Sequence, residues 1–450
     1  MDKNINMLSG GIWKQLILFS APVLFGELFQ QLYNTVDLIF LGNYVSSDAM
    51  AAVGATSSVI KLLVGFFMGI SVGCTVVVAR HYGSKNYEKL KQSVSTIVYM
   101  ALILGVILSI IGVLITGPIL RLLSIPEEII PYAIIYIRIY FAGMMGLVLY
   151  NIATGVLRAV GDVRRPFYLL VLSSILNIIL DAIFVIPLNW GIAGVAYATI
   201  ISQAISAILS LLLLIYNKDV FGFSFKNMRM NKVIVKQVMR IGLPTGVQKT
   251  LTSLSNIFVI SYISFFGADC LAGWAVYTKV NHFIIIAVQS IGAFITTFVS
   301  QNIGAKQYLR AKKGISAAFY TSIVLTVISS IIVRISNASI SKLFGSSEGM
   351  LFYSKLFISE LILLQIVHVP VSIYSAALRG MGRSTIATIL MLTGLVGIRQ
   401  LYLTIITLFV NTPAIVGLAF PVGWSAASIL IYLYYLRVAS KKVFINTDVD

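Results

Sequence analysis

Twelve apolar stretches of some twenty residues or more follow one another along the 450-residue chain. Each is long enough to cross a hydrocarbon core of about 30 Å as a helix. They are placed at, among others, 129–155, 241–266 and 385–410. A water-exposed globule of this length cannot accommodate 58% hydrophobic and only 11% charged residues at a mean hydropathy of +0.95. The chain is therefore read as an all-α integral membrane protein with twelve transmembrane helices.

The stretches repeat. Leu157 to Gly161 reads LRAVG and Leu378 to Gly382 reads LRGMG, 221 residues later. Asp48, Gly83, Lys85 and Tyr87 match Asp269, Gly304, Lys306 and Tyr308 at the same offset, and Pro22 and Asn34 match Pro244 and Asn256 at 222. A register held across landmarks in both halves indicates two related bundles, a plan found in many secondary transporters. Two pseudo-symmetric six-helix lobes are expected at 1–216 and 234–450, joined by a polar cytoplasmic linker at 217–233.

Basic residues orient these lobes, because cytoplasmic loops accumulate Lys and Arg. Of the 33 Lys and Arg residues, 24 fall at the two termini and in alternate loops; the intervening loops hold only Arg121, Arg334 and Lys342. Both termini are expected in the cytoplasm, and an even number of spans per lobe gives the lobes the same orientation. This asymmetry accounts for the net charge of +18. Contact with anionic lipid headgroups follows more naturally from it than nucleic-acid binding. The first span lacks the compact positive, apolar and cleavable pattern of a signal peptide and is read as retained.

Chemistry is sought at acids inside the spans, since an ionised carboxylate at the bilayer centre costs roughly 2.5 to 3.5 kcal/mol even on the lenient insertion scale. Glu27, Asp37, Asp181 and Glu360 qualify. Asp37 follows Asn34 by three residues and Asp181 follows Asn177 by four, so each shares a helix face with an amide. With Thr199 of the next span, Asp37, Asn177 and Asp181 would form an all-oxygen pocket for a hard cation such as Na⁺. They would equally form a carboxylate pair that holds a proton, because two adjacent carboxylates in low dielectric cannot both ionise cheaply. For Asn177 and Thr199, interhelical packing is an equal alternative. Glu27, on the same broad face as Asp37, would pair with a lysine or join a proton path, and Glu360 is read as one half of a local salt bridge.

The second half does not repeat this set. At the repeat offset Asp37 becomes Val259, Asn177 becomes Ile398 and Asp181 becomes Tyr402, while Arg399 enters beside them. A cation site is therefore expected in the first lobe alone. Lys249 stands at the position of Glu27, beside Gln248. For it and for Lys61, Arg138, Lys279 and Arg399, snorkelling or pairing with Glu27 and Glu360 is favoured over substrate contact. Pro22 and Pro244 each remove a helical hydrogen bond early in a lobe's first helix and supply either a static kink or a hinge. Tyr33, among other aromatics, is a candidate to stack on a flat cation.

Other chemistries find little support. No GxxxxGK[ST] phosphate loop is present, so direct drive by ATP is not expected. No nucleophile and base set appears at recognisable spacing, which argues against an enzyme. Cys74 and Cys270 show no CxxC pattern and are read as packing residues, and His81, His282 and His368 lack ligand spacing.

The runs APVLFGELFQQLYNTVDLIFLG (21–42), VLRAVGD (156–162), LNIILDAIFV (176–185) and GIAGVAYATIISQ (191–203) resemble the multidrug and toxin extrusion (MATE) family. GLPTGVQKTL (242–251) and FVSQNIGAKQ (298–307) are similar to its second-half motifs. The resemblance spans about Trp13 to Arg437. It implies an antiporter that exports small organic cations, drugs among them, in exchange for Na⁺ or H⁺ by alternating access, with no cofactor beyond that ion. It further implies the cation site at Asp37, Asn177, Asp181 and Thr199, in a multi-pass monomer of a prokaryotic plasma membrane. Family members that also use acids in the second lobe find Gln248 and Lys249 near the corresponding position here. A flippase for lipid-linked saccharides, which shares the superfamily plan, is the alternative, and Lys249, Lys279 and Arg399 would then meet a pyrophosphate.

Overall fold

A computed structural model describes residues 4–122, 127–345 and 347–440. The first half consists of α1 (Ile12–Tyr44), α2 (Ser47–Gly83), α3 (Tyr87–Leu122), α4 (Ile130–Ala142), α5 (Met144–Ala159), α6 (Arg164–Val185) and α7 (Gly191–Tyr216). A short α8 (Lys218–Phe221) lies in the connecting segment. The second half consists of α9 (Lys232–Ser264), α10 (Ala268–Gly304), α11 (Tyr308–Ile335), α12 (Asn337–Phe344), α13 (Glu348–Leu361), α14 (His368–Gly380), α15 (Ser384–Leu392), α16 (Arg399–Ile406), α17 (Pro413–Gly417) and α18 (Ala419–Ser440). Among the described residues the architecture is all-α, with ten helical segments long and apolar enough to span a membrane.

Two further segments complete the plan. The stretch expected as one helix at 129–155 is bent by 48° between α4 and α5, at Gly143. A Cβ on Gly143 would sit 2.4 Å from the Ile200 side chain, so the bend coincides with a point of close approach to α7. Helix α9 is as long as α1, at 33 residues. It falls below the hydropathy of a span because Arg240, Thr245, Gln248, Lys249, Thr250, Thr252, Ser253, Ser255 and Asn256 lie within it.

The chain divides into two compact units. Unit 1 comprises Met1–Asn6 and Ala21–Gly242, and unit 2 comprises Met7–Ser20 and Leu243–Asp450. The boundary therefore falls inside α1 and α9 rather than at 217–233, in each case within two residues of the internal proline, Pro22 or Pro244. Proline leaves a helical carbonyl unpaired and weakens the helix at that point.

In unit 1, α5 lies among α2, α3 and α7 and is mostly buried. In unit 2 the central helix is α10, the repeat counterpart of α2, which lies among α11, α13 and α14. The repeat is visible atom by atom. The Thr75 hydroxyl of α2 donates to the Gly155 carbonyl of α5 at 3.1 Å, and Thr296 of α10 donates to Ala376 of α14 at 3.4 Å, with both ends displaced by 221. The same bonds close the ends of α2 and α10, Asn86 N–H to His81 O and Gln307 N–H to Asn302 O. Lys85 and Lys306 take left-handed backbone there, at φ 56° and 59°. Gly161 and Gly382, the last residues of LRAVG and LRGMG, are left-handed at φ 87° and 81°, a conformation available to glycine without a steric penalty. Gly161 is needed for space as well, since its carbonyl accepts from Ile5 N–H at 3.1 Å and a Cβ would lie 2.4 Å from the Ile5 oxygen.

The outward faces of the helices remain apolar, as with Ile110 and Leu114 of α3 and Ile328 and Ile332 of α11. Exposed apolar side chains along whole helices belong against lipid chains.

Candidate functional site in unit 1

Four helices of unit 1 assemble the site. Asp37 comes from α1, Asn177 and Asp181 from α6, Thr199 from α7, and tyrosines from α1 and α4. The α6–α7 pair is stitched by hydroxyls: Ser173 donates to Ser202 O at 3.1 Å, and Ser206 donates to Leu169 O at 3.3 Å. Without water to compete, such bonds fix the relative rotation of two helices. They hold Asn177 and Asp181, which are one turn apart on α6, turned inward at 1% and 0% exposure.

The Asp37 carboxyl, itself 5% exposed, meets the side chains of both Asp181 and Asn177. The structure thus brings together three of the four residues expected from sequence. Asp37 Oδ1, both Asp181 oxygens, and Asn177 Oδ1 and Nδ2 are buried with no hydrogen-bonding partner. Buried polar groups are nearly always satisfied, and an orphan costs about 1–3 kcal/mol, more when it is charged. Five orphans in one cluster mark a place built for something that these atoms do not supply to one another. Four of them are hard oxygen acceptors, the donor type suited to a cation such as Na⁺ or to a proton.

Thr199 is buried on α7 at 4% exposure, and its hydroxyl hydrogen is committed to Val195 O at 2.9 Å. What it has left to offer is an oxygen lone pair. Asn34 is exposed and is not among the groups that meet Asp37. Three residues advance a helix by 300°, which leaves the amide about 60° away from the carboxylate's face. Glu27 is half-buried near Tyr150.

Tyr33, Tyr136 and Tyr140 lie on the Asp37 side of the acid pair. All three lie near Asp37, and Tyr136 also lies near Asp181. Tyr136 and Tyr140 stack one turn apart on α4 with ring centroids 6.3 Å apart. Sequence reasoning missed Tyr136 in this role. The signal was the four-residue spacing Tyr132, Tyr136, Tyr140, which places three phenols on one face of α4.

In unit 2, Gln248 is buried and Lys249 half-buried. Lys61, Arg138 and Lys279 are exposed, as snorkelling side chains would be, and Lys279 lies over the Phe344 ring at 5.7 Å. Glu360 is exposed. Arg399 departs from the snorkelling and acid-pairing expectation. It is 1% exposed, bonds the Asn256 amide oxygen at 2.8 Å, and lies over the Phe420 ring at 4.9 Å. Cys74 and Cys270 are buried thiols.

A buried acid pair in one unit of a repeated helical membrane protein is the arrangement that the sequence resemblance implied. The MatE family model matches residues 22–183 and 244–406, one match in each half of the chain. The chain belongs to the MATE family. It is 28% identical over 439 residues to the probable multidrug resistance protein YoeA of Bacillus subtilis, covering 96% of this chain and 95% of that one. It is 23% identical over 430 residues to the multidrug export protein MepA of Staphylococcus aureus, covering 95% and 94%. Among solved structures, a MOP superfamily transporter from Pyrococcus furiosus superposes with a TM-score of 0.92 at 22% identity, over 99% of this chain and all of that one. The fold is accordingly that of a MATE transporter, twelve helices in two bundles.

Proposed function

We propose that this MATE protein is a secondary antiporter that exports small organic cations, multiple drugs among them, in exchange for Na⁺ or H⁺. The observation that carries the reading is the Asp37–Asp181 contact with its unpartnered oxygens, buried beside Asn177. A carboxylate pair in low dielectric carries an excess of negative charge unless a cation or proton joins it. Loading is therefore strongly favoured where the ion is abundant, and unloading restores the charge. If the outward-open and inward-open forms differ in their affinity for that ion, loading biases the equilibrium between them. By linkage, a drug that binds the opposite form is expelled at the expense of the ion gradient. Tyr33, Tyr136 and Tyr140 supply aromatic faces beside the acids and suit a flat cation. The relatives named for multidrug resistance and export fit this reading, and they lend none to the flippase alternative.

The protein works, in this reading, as a monomer in a bacterial plasma membrane. Both termini are cytoplasmic and the basic loops lie against anionic lipid. Transport needs no ATP. The test is proteoliposome export of a fluorescent cationic dye under an imposed Na⁺ or pH gradient. Asp37→Asn and Asp181→Asn are each expected to reduce gradient-driven export at least 100-fold while the protein elutes and unfolds as the parent does. Undiminished export by both variants would remove the coupling site from this pair.

A further inference from the structure

Unit 2 holds a buried cation that no carboxylate among the described residues of that unit balances. Arg399 begins α16 directly after a π-helical stretch, Thr393–Ile398. Such stretches insert a residue into the helical register and recur at functional positions. Two glycines make room where this segment meets α18. A Cβ on Gly394 would lie 2.5 Å from Ala427 N, and one on Gly423 would lie 3.1 Å from the Arg399 Cβ. The side chain is thus seated at an intimate helix contact and not left at a lipid-facing edge.

The guanidinium uses Nη1 on Asn256 and its face on Phe420. Its Nε and Nη2 are buried and have no hydrogen-bonding partner. The acids described in unit 2 are Asp269, Glu348 and Glu360, and all three are exposed. A buried guanidinium with one edge unfilled is costly, because a charge out of water requires both a counter-charge and full hydrogen bonding. The open edge is also specific. Two adjacent N–H groups in the plane of an arginine match the two oxygens of a carboxylate or other oxyanion. Further aromatic rings adjoin Phe420, which is 5.6 Å from both Trp274 and Trp424.

We propose that unit 2 contains an anion-binding subsite at Arg399, which takes the carboxylate of an aromatic compound whose ring packs against Phe420 and its tryptophan neighbours. The binding does not rest on the export reading, and it is measured without a gradient.

Purified full-length protein in detergent is titrated by equilibrium dialysis with 1-naphthoate, its methyl ester and inorganic chloride. The acid is expected to bind at least 10-fold more tightly than the ester. That preference should fall to near unity in Arg399→Gln and persist in part in Arg399→Lys, which keeps the charge but loses the fork. Equal binding of acid and ester by the parent protein overturns the proposal whether or not either variant folds. So does a preference undiminished in Arg399→Gln, or displacement of the naphthoate by chloride at equal concentration, which would make this a halide site. Loss of dye export in the aspartate variants leaves these outcomes unaffected.

Discussion

The two units share one plan and carry opposite buried chemistry. In the acid cluster of unit 1 four of the five orphaned atoms are acceptors, on Asp37, Asp181 and Asn177. In unit 2 the corresponding positions are Val259, Tyr402 and Ile398, and orphaned donors on Arg399 stand in the neighbourhood instead. Even the substitution of Asp181 by Tyr402 closes an interaction, since the Tyr402 hydroxyl bonds Ile415 O at 3.0 Å. The frame of hydroxyl-to-carbonyl bonds and left-handed turns is meanwhile kept to within a few tenths of an ångström and a few degrees. Duplication preserved what packs the bundle and left the polar interior to diverge, so the difference between the units is where function should be sought.

The sharpest way to break this comparison uses one substitution at two related positions. Asn34 and Asn256 are equivalent in the repeat, but Asn34 is exposed while Asn256 holds the Arg399 guanidinium. Asn256→Leu removes the one side-chain hydrogen bond shown for a buried charge, and is expected to destabilise by about 1.5–3 kcal/mol. Asn34→Leu is expected to leave the melting temperature in detergent unchanged. Equal effects on the thermal midpoint would show that Arg399 does not depend on Asn256, and would remove one leg of the contrast.

How much of this was legible beforehand depends on which physical property speaks through sequence. Repeat landmarks were readable because glycines such as Gly161 and Gly382 meet a backbone requirement that no other residue meets as cheaply. The acid pair was readable because a carboxylate in an apolar run is costly wherever it points. The bend at Gly143 was hidden, since an apolar run reads the same straight or broken. The burial of Arg399 was hidden as well, because a basic residue in a span reads equally as a snorkelling side chain, and only the neighbours of its helix decide. The passage of α1 from unit 2 to unit 1 at Ser20–Ala21 was not legible either, although Pro22 marked the place.

A second prediction tests whether the shared frame is as rigid as its geometry suggests. Gly161→Ala places a Cβ at φ 87° and 2.4 Å from the Ile5 oxygen, so the turn must shift and release the Ile5 N–H bond. The left-handed strain alone is about 1–2 kcal/mol. A lowered melting temperature with transport per folded molecule retained is the expected result. No change in melting would mean that the N-terminal segment does not hold the turn.

The smallest expected effect is also the cleanest measure of symmetry. Thr75→Val and Thr296→Val each delete one hydroxyl bond to a facing helix, with no change in volume to speak of. Interhelical hydrogen bonds in membrane proteins average about 0.6 kcal/mol. The Thr75 hydroxyl is also within reach of Ser71 O at 3.0 Å, and Thr296 of Gly292 O at 3.1 Å, so each hydroxyl has the same local alternative. The two losses should therefore match, and they should add in the double variant because the sites belong to separate units. Unequal losses, measured by reversible unfolding in detergent, would show that the divergence which changed the buried chemistry of the units had reached their frames as well.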